Sequence, residues 1–385
     1  MINLKVDYAT KSLEKHKQFR GKIEIKSKFG PVESREDLSI AYTPGVAAVS
    51  TFLAQHPEEA KNYSIKGNTV AVVSDGSAVL GLGNIGPLGA LPVMEGKALL
   101  FKEFANVDAF PIVLNTQDVE EIVKTVKAIS PTFGGINLED ISSPRCFEVE
   151  ERLKAELDIP VFHDDQHGTA IVVLAALINS LKLAGKLKEN IKLIISGVGA
   201  AGVATAKLLV KYGVANIIMV DSTGIISSKR TDLNPIKQEM LMMINKNDIE
   251  GNLKDALKDA DVFIGVSGPN ILNSEDIKTM APKPIVFAMA NPAPEIMPDE
   301  AKKGGAFIVG TGRSDFANQI NNVMVFPGIF RGALDHGVKQ ITNDHKIKVA
   351  EAIANYVPAN ELNPENILPS TLDKNVAKVV AEAIR

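Results

Sequence analysis

The chain has 385 residues, of which 45% are hydrophobic, so it is long enough and apolar enough to bury the cores of two domains. A net charge of −4 gives no sign of the basic surface that binds nucleic acid or acidic membranes. The single cysteine, Cys146, excludes a disulfide framework, and the most apolar run, residues 170–178, is much shorter than a bilayer span. We therefore expect a cytoplasmic protein with a packed thiol that binds neither nucleic acid nor membrane.

Apolar patterning in residues 1–167 predicts an α/β domain in which helices and strands alternate. Helices are predicted for residues 1–30, 43–55, 92–105 and 144–157. Strands are predicted for residues 69–74, 109–114, 133–138 and 160–163. The second helix is expected to begin with Thr43 as the N-cap and Pro44 in the first turn.

Two acidic pairs follow the last two strands of this domain. Glu139 and Asp140 follow the third strand, and Asp164 and Asp165 follow the fourth. A strand–helix–strand unit of this length forms a right-handed parallel crossover, so both pairs are expected at the carboxyl ends of neighbouring strands. Converging carboxylates repel one another unless they are protonated or bind a divalent cation, and oxygen ligands favour Mg²⁺ or Mn²⁺. The alternative is a set of solvated acids at the starts of loops.

A long apolar helix at residues 169–185 leads into a second pattern of strands and helices that spans residues 168–334. Strands are predicted for residues 191–196, 216–221, 261–266, 284–290, 306–310 and 323–326. This alternation indicates a Rossmann-like, doubly wound parallel sheet. The domain boundary is expected near His167 or Gly168, which places the acidic pairs against the interdomain cleft. Residues 335–385 are predicted to be a C-terminal helical segment that packs back on the first domain.

The clearest motif lies between a predicted strand and a predicted helix of the second domain. It consists of Gly197, Val198, Gly199, Ala200, Ala201 and Gly202. The next strand ends in Asp221, about 20 residues farther on, which completes the context of a dinucleotide-binding fingerprint. Asp221 would accept hydrogen bonds from the ribose hydroxyls, which favours NAD. Lys229 and Arg230 follow closely and would suit the 2′-phosphate of NADP instead.

Two other patterns imitate known sites. Residues 81–86 repeat the Gly-x-Gly-x-x-Gly spacing, but Pro87 stands where a phosphate-binding helix would begin, and no strand-terminal acid follows about 20 residues later. We interpret them as a loop that lets backbone approach the cleft. His163 and His167 have the spacing of a zinc-protease pair, but we expect them to straddle a strand end, which does not favour zinc.

Single residues of three kinds are candidates for catalysis or substrate binding. Lys97 shares a predicted helix face with apolar side chains, which would lower its pKa and make it a general base, although a snorkelling lysine has the same pattern. Tyr42 precedes a predicted helix start, where the dipole favours a polarised hydroxyl, although exposed turn tyrosines are common. Asn291, Asn321 and Asn322 lie in strand-end loops that face the ligand of an open α/β sheet, or they are ordinary turn asparagines.

Taken together, the motifs resemble those of the malic enzyme family. The resemblance is carried by residues 42–46, 81–86, 95–97, 137–140, 164–169, 197–202, 291–292 and 322–328. Each motif alone is weak, but the set in this order is specific and covers about residues 15–335. The chain resembles the short bacterial form, which has no fused acetyltransferase-like domain.

The resemblance implies a role for each group of candidate residues. The implied ligands of Mg²⁺ or Mn²⁺ are Glu139, Asp140 and Asp165. The implied catalytic residues are Lys97 as general base, Asp164 beside it, and Tyr42 as the acid of the final protonation. The implied substrate-binding residues are Asn291 and Asn322, which would hold a carboxylate, with Asn291 also facing the cofactor. The expected reaction is the oxidative decarboxylation of malate to pyruvate and CO₂ with reduction of NAD or NADP.

One departure from the family pattern affects substrate binding. Larger members carry an arginine immediately before the Gly-Leu-Gly loop, where this chain has Ser-Ala-Val-Leu at residues 77–80. The carboxylate must then be paired elsewhere, with Arg313, Arg331 or the asparagines as candidates.

Several alternatives stay open at the level of sequence. A malolactic enzyme would use the same motifs with tightly held NAD and release lactate. A non-catalytic NAD-binding metabolite sensor and a metal-independent dehydrogenase are rivals from other classes. The family pattern also implies a homodimer or higher homo-oligomer, in which Tyr42 or Lys97 could act across the subunit interface.

Overall fold

The structure of the protein is a computed structural model that describes residues 8–79 and 81–385. Ten strands form two sheets within these ranges. The strands of the first sheet are β1 Thr69–Ser74, β2 Asp108–Val113, β3 Gly135–Leu138 and β4 Val161–His163. The strands of the second are β5 Lys192–Ser196, β6 Asn216–Asp221, β7 Gly224–Ile225, β8 Val262–Gly265, β9 Ile285–Ala288 and β10 Ile308–Thr311.

Both sheets are parallel in their main body. The first has the order β2-β1-β3-β4, with every neighbouring pair parallel. The second has the order β10-β9-β8-β5-β6-β7, and only its short edge strand β7 is antiparallel. Because the inner strands are β-branched and buried on both faces, helices must cover both sides. This confirms the predicted α/β class with a Rossmann-like second sheet.

Sixteen α-helices accompany the sheets in the described part of the chain. The N-terminal helices are α1 Tyr8–Phe19, α2 Arg35–Ala41, α3 Val46–Gln55 and α4 Ala60–Tyr63. Those of the first sheet are α5 Gly86–Ala105, α6 Val119–Ile129 and α7 Arg145–Glu156, followed by α8 Asp164–Ala184. Those of the second sheet are α9 Ala200–Tyr212, α10 Pro235–Leu241, α11 Leu253–Leu257, α12 Ser274–Lys278 and α13 Pro298–Lys303. The C-terminal helices are α14 Phe326–His336, α15 Asn343–Tyr356 and α16 Asn375–Ala383.

Helix α8 lies at the centre of the molecule. One continuous apolar cluster runs from the first sheet through α8 to the second sheet and the C-terminal helices. By length and composition α8 could cross a membrane, but 78% of its most apolar window is buried inside the structure. The predicted domain boundary near His167 falls within this helix, so the division at residues 167 and 168 stays a prediction.

The C-terminal helices pack against the first sheet through aromatic rings. Phe326 and Phe330 of α14 lie 4.8 and 5.5 Å from the ring of Phe101 on α5, with edge-to-face geometry. Phe330 also lies 6.1 Å from Phe162 of β4. Such rings bury large apolar areas and fix the direction of approach. Helix α14 therefore packs against α5 and β4 of the first sheet.

Several predicted element boundaries were wrong at the N-terminal end. The helix predicted for residues 1–30 is confined to α1 in the described part, and its first seven residues lie outside that part. Thr43 and Pro44 do not start α3, because helix α2, which was not predicted, ends at Ala41 and the two residues form the connecting turn. Helix α5 begins at Gly86 rather than near Pro92, since Pro87 fits the first turn, where a missing N–H costs little.

Two boundaries near the centre and end were also wrong. Helix α8 begins at Asp164, five residues before the predicted start, because acidic side chains are favourable in a first turn. The predicted strand at 323–326 is a 3₁₀ turn followed by α14, which starts at Phe326 with Pro327 in its first turn. The remaining predicted strands coincide with observed strands to within a few residues.

Candidate active site

The two acidic pairs meet at the carboxyl end of the first sheet. Glu139 and Asp140 directly follow β3, while Asp164 and Asp165 form the first turn of α8 directly after β4. Since β3 and β4 are parallel neighbours, both pairs emerge at the same edge. The backbone N–H of Asp140 donates to Asp165 Oδ2 at 2.8 Å, which links the two pairs. The predicted convergence is confirmed.

Three of these carboxylates form a set that suits a metal ion. Glu139, Asp140 and Asp165 each offer an oxygen, and these oxygens lie within 4.8 Å of one another. A donor set made only of oxygen fits Mg²⁺ or Mn²⁺. Burial raises the pKa of Glu139 and of Asp165, and neighbouring carboxylates raise both further, because the nearby lysine offsets only part of the charge. A divalent cation would relieve this repulsion.

Lys97 lies between the acids rather than on an apolar surface alone. It projects from α5, is 8% exposed, and places Nζ 2.5 Å from Asp164 Oδ2 and 2.9 Å from Glu139 Oε1. The ring of Phe326 lies beneath the same ammonium group, 4.1 Å away. Burial alone would lower the pKa of Lys97, but Asp164 and Glu139 outweigh it and raise the pKa. The predicted lowering was wrong, because these ion pairs form between residues far apart in sequence.

A buried brace that the sequence did not predict holds the acidic strand ends. Asp75, directly after β1, accepts a hydrogen bond from Arg145 Nε at 3.1 Å and from the Ser77 hydroxyl. The Ser77 oxygen in turn accepts from the backbone N–H of Ser142, and the N–H of Ala78 donates to the carbonyl of Asp140. The brace therefore fixes the backbone that carries Asp140. Asp75 could have been found from the sequence, because it is an acidic residue at a strand end. No sequence pattern indicates its pairing with Arg145.

The glycine fingerprint connects β5 to α9 as predicted. Gly197 has a φ of +115°, and a Cβ there would lie 2.6 Å from the carbonyl oxygen of Val266. A Cβ on Gly202 would lie 2.0 Å from the carbonyl oxygen of Gly197. Gly199 has open space around it, which is what the close approach of a pyrophosphate to backbone requires. The N-terminus of α9 opens on the same space and favours an anion.

Asp221 ends β6 but is held by cations. Arg230 donates to both of its oxygens at 2.8 and 3.0 Å, and Lys237 donates at 2.7 Å. Burial would raise the pKa of Asp221, but these hydrogen bonds outweigh it and lower the pKa. Lys229, the other predicted cation, pairs with Glu250 instead. Lys237 was not predicted from the sequence, because it lies on α10, farther along the chain than Lys229 and Arg230.

One cleft joins the parts contributed by the two sheets. It has a volume of about 970 Å³ and lies between the acidic edge of the first sheet and the fingerprint of the second. The candidate residues that line it are Lys97, Glu139, Asp140, Asp165, Gly199, Ala200, Ala201, Asn291, Asn321 and Asn322. Asp164 lies behind Lys97 and is completely buried. The arrangement can hold a small acid between a cation site, a lysine and a dinucleotide.

Tyr42, Arg313 and Arg331 are also absent from the lining of this cleft, as are Asp221 and the fingerprint residues Gly197, Val198 and Gly202. Tyr42 lies in the turn after α2 with 66% of its surface exposed. Arg313 is paired with Asp315, and Arg331 is paired with Asp335. Neither arginine lines the cleft, so neither takes the place of the arginine that larger family members carry before the Gly-Leu-Gly loop. The asparagines that line the cleft remain the candidates for binding the carboxylate.

The zinc-like histidine pair does not converge on one site. His163 ends β4 and is completely buried, and burial lowers its pKa to about 4. His167 lies on α8, where Nε2 is 2.9 Å from Glu150 and Nδ1 is 3.0 Å from Lys346 Nζ. His167 therefore connects the first turns of α8 to α7 and α15, and these contacts indicate a structural role.

Comparison with known proteins gives matches along almost the whole chain. The model of the malic enzyme N-terminal domain matches residues 21–154, and that of the malic enzyme NAD binding domain matches residues 166–385. The chain is 58% identical to the NAD-dependent malic enzyme of Geobacillus stearothermophilus, over 94% of this chain and 76% of that protein. It is 56% identical to the bifunctional malic/malolactic enzyme of Bacillus subtilis, over 97% and 91%. The crystal structure of the NAD-dependent malic enzyme of Thermotoga maritima is 50% identical, with a TM-score of 0.94 over 97% of this chain and 98% of that one.

Proposed function

Because the chain belongs to the malic enzyme family, we propose that it oxidises and decarboxylates malate to pyruvate and CO₂ while reducing NAD or NADP. The observation that carries the proposal is one cleft that is lined by Lys97, the three-carboxylate set and residues 199–201 of the glycine fingerprint. A hydroxy acid held there would have its C2 hydroxyl near a base and its C2 hydrogen facing the nicotinamide ring.

Lys97 is the proposed general base and Asp164 its positioning partner. When bound by Glu139, Asp140 and Asp165, Mg²⁺ or Mn²⁺ would polarise the substrate oxygens and offset the negative charge that raises the pKa of Lys97. Lys97 would then take the C2 hydroxyl proton while the hydride leaves C2 for the nicotinamide. Asp164, which is completely buried and 2.5 Å from Nζ, keeps the amine pointed at the cleft.

The dinucleotide is proposed to lie along residues 197–202 with its adenosine ribose at Asp221. A carboxylate at this position accepts hydrogen bonds from ribose hydroxyls, which favours NAD. Arg230 and Lys237 already bind this carboxylate, and they would face the 2′-phosphate of NADP. NAD is therefore the proposed main cofactor, with NADP accepted less well.

Substrate binding is proposed to rely on amides. Asn291 and Asn322 both line the cleft that contains the acidic cluster. Uncharged amides can hold the carboxylate of malate without trapping the product. Their contribution would compensate for the arginine that larger family members carry before the glycine-rich loop.

We also propose that the enzyme is a homodimer whose N-terminal segment, residues 8–68, forms part of the interface. Helices α1 to α4 contain no buried residue, and the segment exposes large apolar side chains such as Leu13 on α1 and Ile25 and Phe29 between α1 and α2, at 74%, 87% and 77%. Exposed apolar surface of this extent marks an interaction site. A second copy would cover it and bring the partner subunit's Tyr42 to the cleft as the acid that protonates C3.

Mixing two inactive variants tests the role of Tyr42 across the interface. Lys97→Met and Tyr42→Phe are each expected to have little malate oxidation activity when assayed separately. If the two residues act from different subunits, randomly re-associated dimers regain about a quarter of parental activity, because half of the mixed dimers' sites are intact. Mixtures that stay as inactive as the separate variants would place both residues in one subunit.

A cytoplasmic location is part of the proposal. Cys146 is buried, and burial raises its pKa to about 12, so it is an unreactive packed thiol as expected. The use of one such cysteine in a chain of this length supports a reducing compartment.

A malolactic activity is the second candidate, since one relative is named a bifunctional malic/malolactic enzyme. The test uses the purified chain with malate and Mn²⁺, compares NAD with NADP, and measures pyruvate, lactate and reduced cofactor. We expect pyruvate in equal amount to reduced cofactor, with NAD the better substrate. Lactate without net reduction would favour the malolactic reaction, and no turnover with either cofactor would contradict both.

A further inference from the structure

We propose that Glu295 is a positioning residue for the dinucleotide, because its carboxylate joins the two loops that follow β8 and β9 and holds them at the spacing of the cleft. The inference rests on the proposed use of this cleft by NAD or NADP. Glu295 itself does not line the cleft, so it would act only through the loops it binds.

The contacts of Glu295 connect two separate segments. Its side chain is completely buried, at 0% exposure. Oε1 accepts a hydrogen bond from the backbone N–H of Ser267 at 2.8 Å, and Oε2 accepts one from the backbone N–H of Ala290 at 3.0 Å. Ser267 follows β8 and Ala290 follows β9, so one carboxylate satisfies a donor from each loop.

Each of these loops leads directly to a part of the proposed site. The Ser267 hydroxyl lies 3.0 Å from that of Ser196, the residue immediately before the glycine fingerprint. Ala290 precedes Asn291, whose carbonyl oxygen faces the glycine-rich loop of the first sheet so closely that a Cβ on Gly81 would lie 2.6 Å from it. Ser267, Ala290 and Asn291 all line the cleft. The carboxylate therefore sets the distance between the fingerprint and the loop that meets the first sheet.

The chemistry of the position requires a carboxylate. Two N–H donors converge on the two oxygens, so an amide would direct its own NH₂ group at one of them and leave that buried donor without an acceptor. The carboxyl group of Glu295 packs against β8. A Cβ on Gly265 would lie 2.4 Å from Glu295 Cδ. Gly265 thus supplies the space that the acid fills, and no side chain could replace the glycine without moving it.

The test compares two conservative variants of the full chain. Glu295→Gln keeps the shape of the side chain and removes one acceptor. Asp276→Asn is the matched control, because Asp276 is also buried in the second domain and accepts the backbone N–H of Asn273 at 3.0 Å at the start of α12, but Asn273, unlike the partners of Glu295, does not line the cleft. Dissociation constants for NADH are measured by nicotinamide fluorescence, together with thermal unfolding and the KM and kcat for the cofactor.

We expect Glu295→Gln to bind NADH at least tenfold more weakly and to raise the KM for the cofactor more than it lowers kcat, while Asp276→Asn loses thermal stability but binds NADH within twofold of the parent. Equal NADH affinity in Glu295→Gln and the parent would overturn the inference. It would also be overturned if both variants lost NADH affinity in proportion to their loss of thermal stability. A parent chain that binds no NADH would contradict the proposed function and the inference together.

A second measurement covers the case in which Glu295→Gln does not fold. Hydrogen exchange of the parent without cofactor reports on the amides of Ser267 and Ala290. Slow exchange at both amides supports a preformed brace between the two loops. Exchange at the rate of an open loop, with protection gained only on adding NADH, would show that the cofactor orders the loops, and the inference would fail.

Discussion

The charged groups beside the two sheets differ in their balance. At the first-sheet end of the cleft Lys97 lies among four carboxylates, and its two closest ion pairs are 2.5 and 2.9 Å long. Beside the second sheet the carboxylate of Asp221 lies between Arg230 and Lys237, and Arg230 also pairs with Asp232, so two cations face two carboxylates. Buried charge without full compensation is unfavourable, so such imbalance is expected where a ligand completes the balance.

The difference indicates which ligand each end accepts. An excess of buried negative charge fits a divalent cation, and burial, with a further contribution from neighbouring carboxylates, raises the pKa of Glu139 and of Asp165. Around Asp221 two cations already face two carboxylates, so the ribose or phosphate of a cofactor would share these groups rather than complete a charge balance. The first cluster is buried and unbalanced, whereas the second is partly exposed and balanced, so we expect variants at the first end to have the larger effects.

The largest effect is expected from removing one carboxylate at the first-sheet end. Asp165→Asn should lower malate oxidation and metal-dependent oxaloacetate decarboxylation by roughly 10³-fold, because loss of a cation ligand removes several kcal/mol of charge stabilisation from both steps. Steady-state assays of the two reactions measure this. The exposed Asp158→Asn serves as the control and should retain parental rates. Decarboxylation that survives in Asp165→Asn would remove Asp165 from the ligand set.

A smaller effect is expected at the second-sheet end. Asp221→Ser should free Arg230 and Lys237 and shift the ratio of kcat/KM for NADP over NAD upward by about tenfold or more, which corresponds to about 1.4 kcal/mol. Asp232→Asn is the matched control, since Asp232 also pairs with Arg230 but leaves Asp221 in place. An unchanged ratio in Asp221→Ser would show that this end does not select the cofactor.

The pH dependence of metal binding is expected to be the mildest effect. An acid with a raised pKa takes up its proton at higher pH, so protons compete with the cation near neutrality rather than only below pH 5. The pKa of Glu139 is raised to about 7 and that of Asp165 to about 6. The affinity for Mn²⁺ should therefore fall by about tenfold per pH unit below pH 7 and more steeply below pH 6, where a second proton competes with the cation. Titrations at pH 8, 7 and 6 that give one affinity would contradict the imbalance.

Much of the fold followed from local patterns in the sequence. The strand β1 was predicted with its observed bounds because a β-branched run of that length has few other uses. The meeting of the two acidic pairs was predicted because adjacent parallel strands end at one edge. The starts of α5 and α8 were misplaced because Pro87 and Asp164 are compatible with a first helical turn as well as with a loop.

The parts of the site that were missed depend on contacts between distant segments. The direction of the Lys97 pKa is set by Asp164, which joins it only in the folded chain. Lys237 reaches Asp221 from another helix, and Glu295 reaches two loops that no local motif connects to it. Residue types and spacings predict which groups lie at strand ends, but the charge balance around each group requires the tertiary structure.

The most direct test is anomalous diffraction from a crystal grown with Mn²⁺ and NAD. The account predicts one strong manganese peak coordinated by oxygens of Glu139, Asp140 and Asp165, with the nicotinamide across the cleft from it. A peak bound elsewhere, or a cofactor that lies away from these carboxylates in an active enzyme, would contradict it.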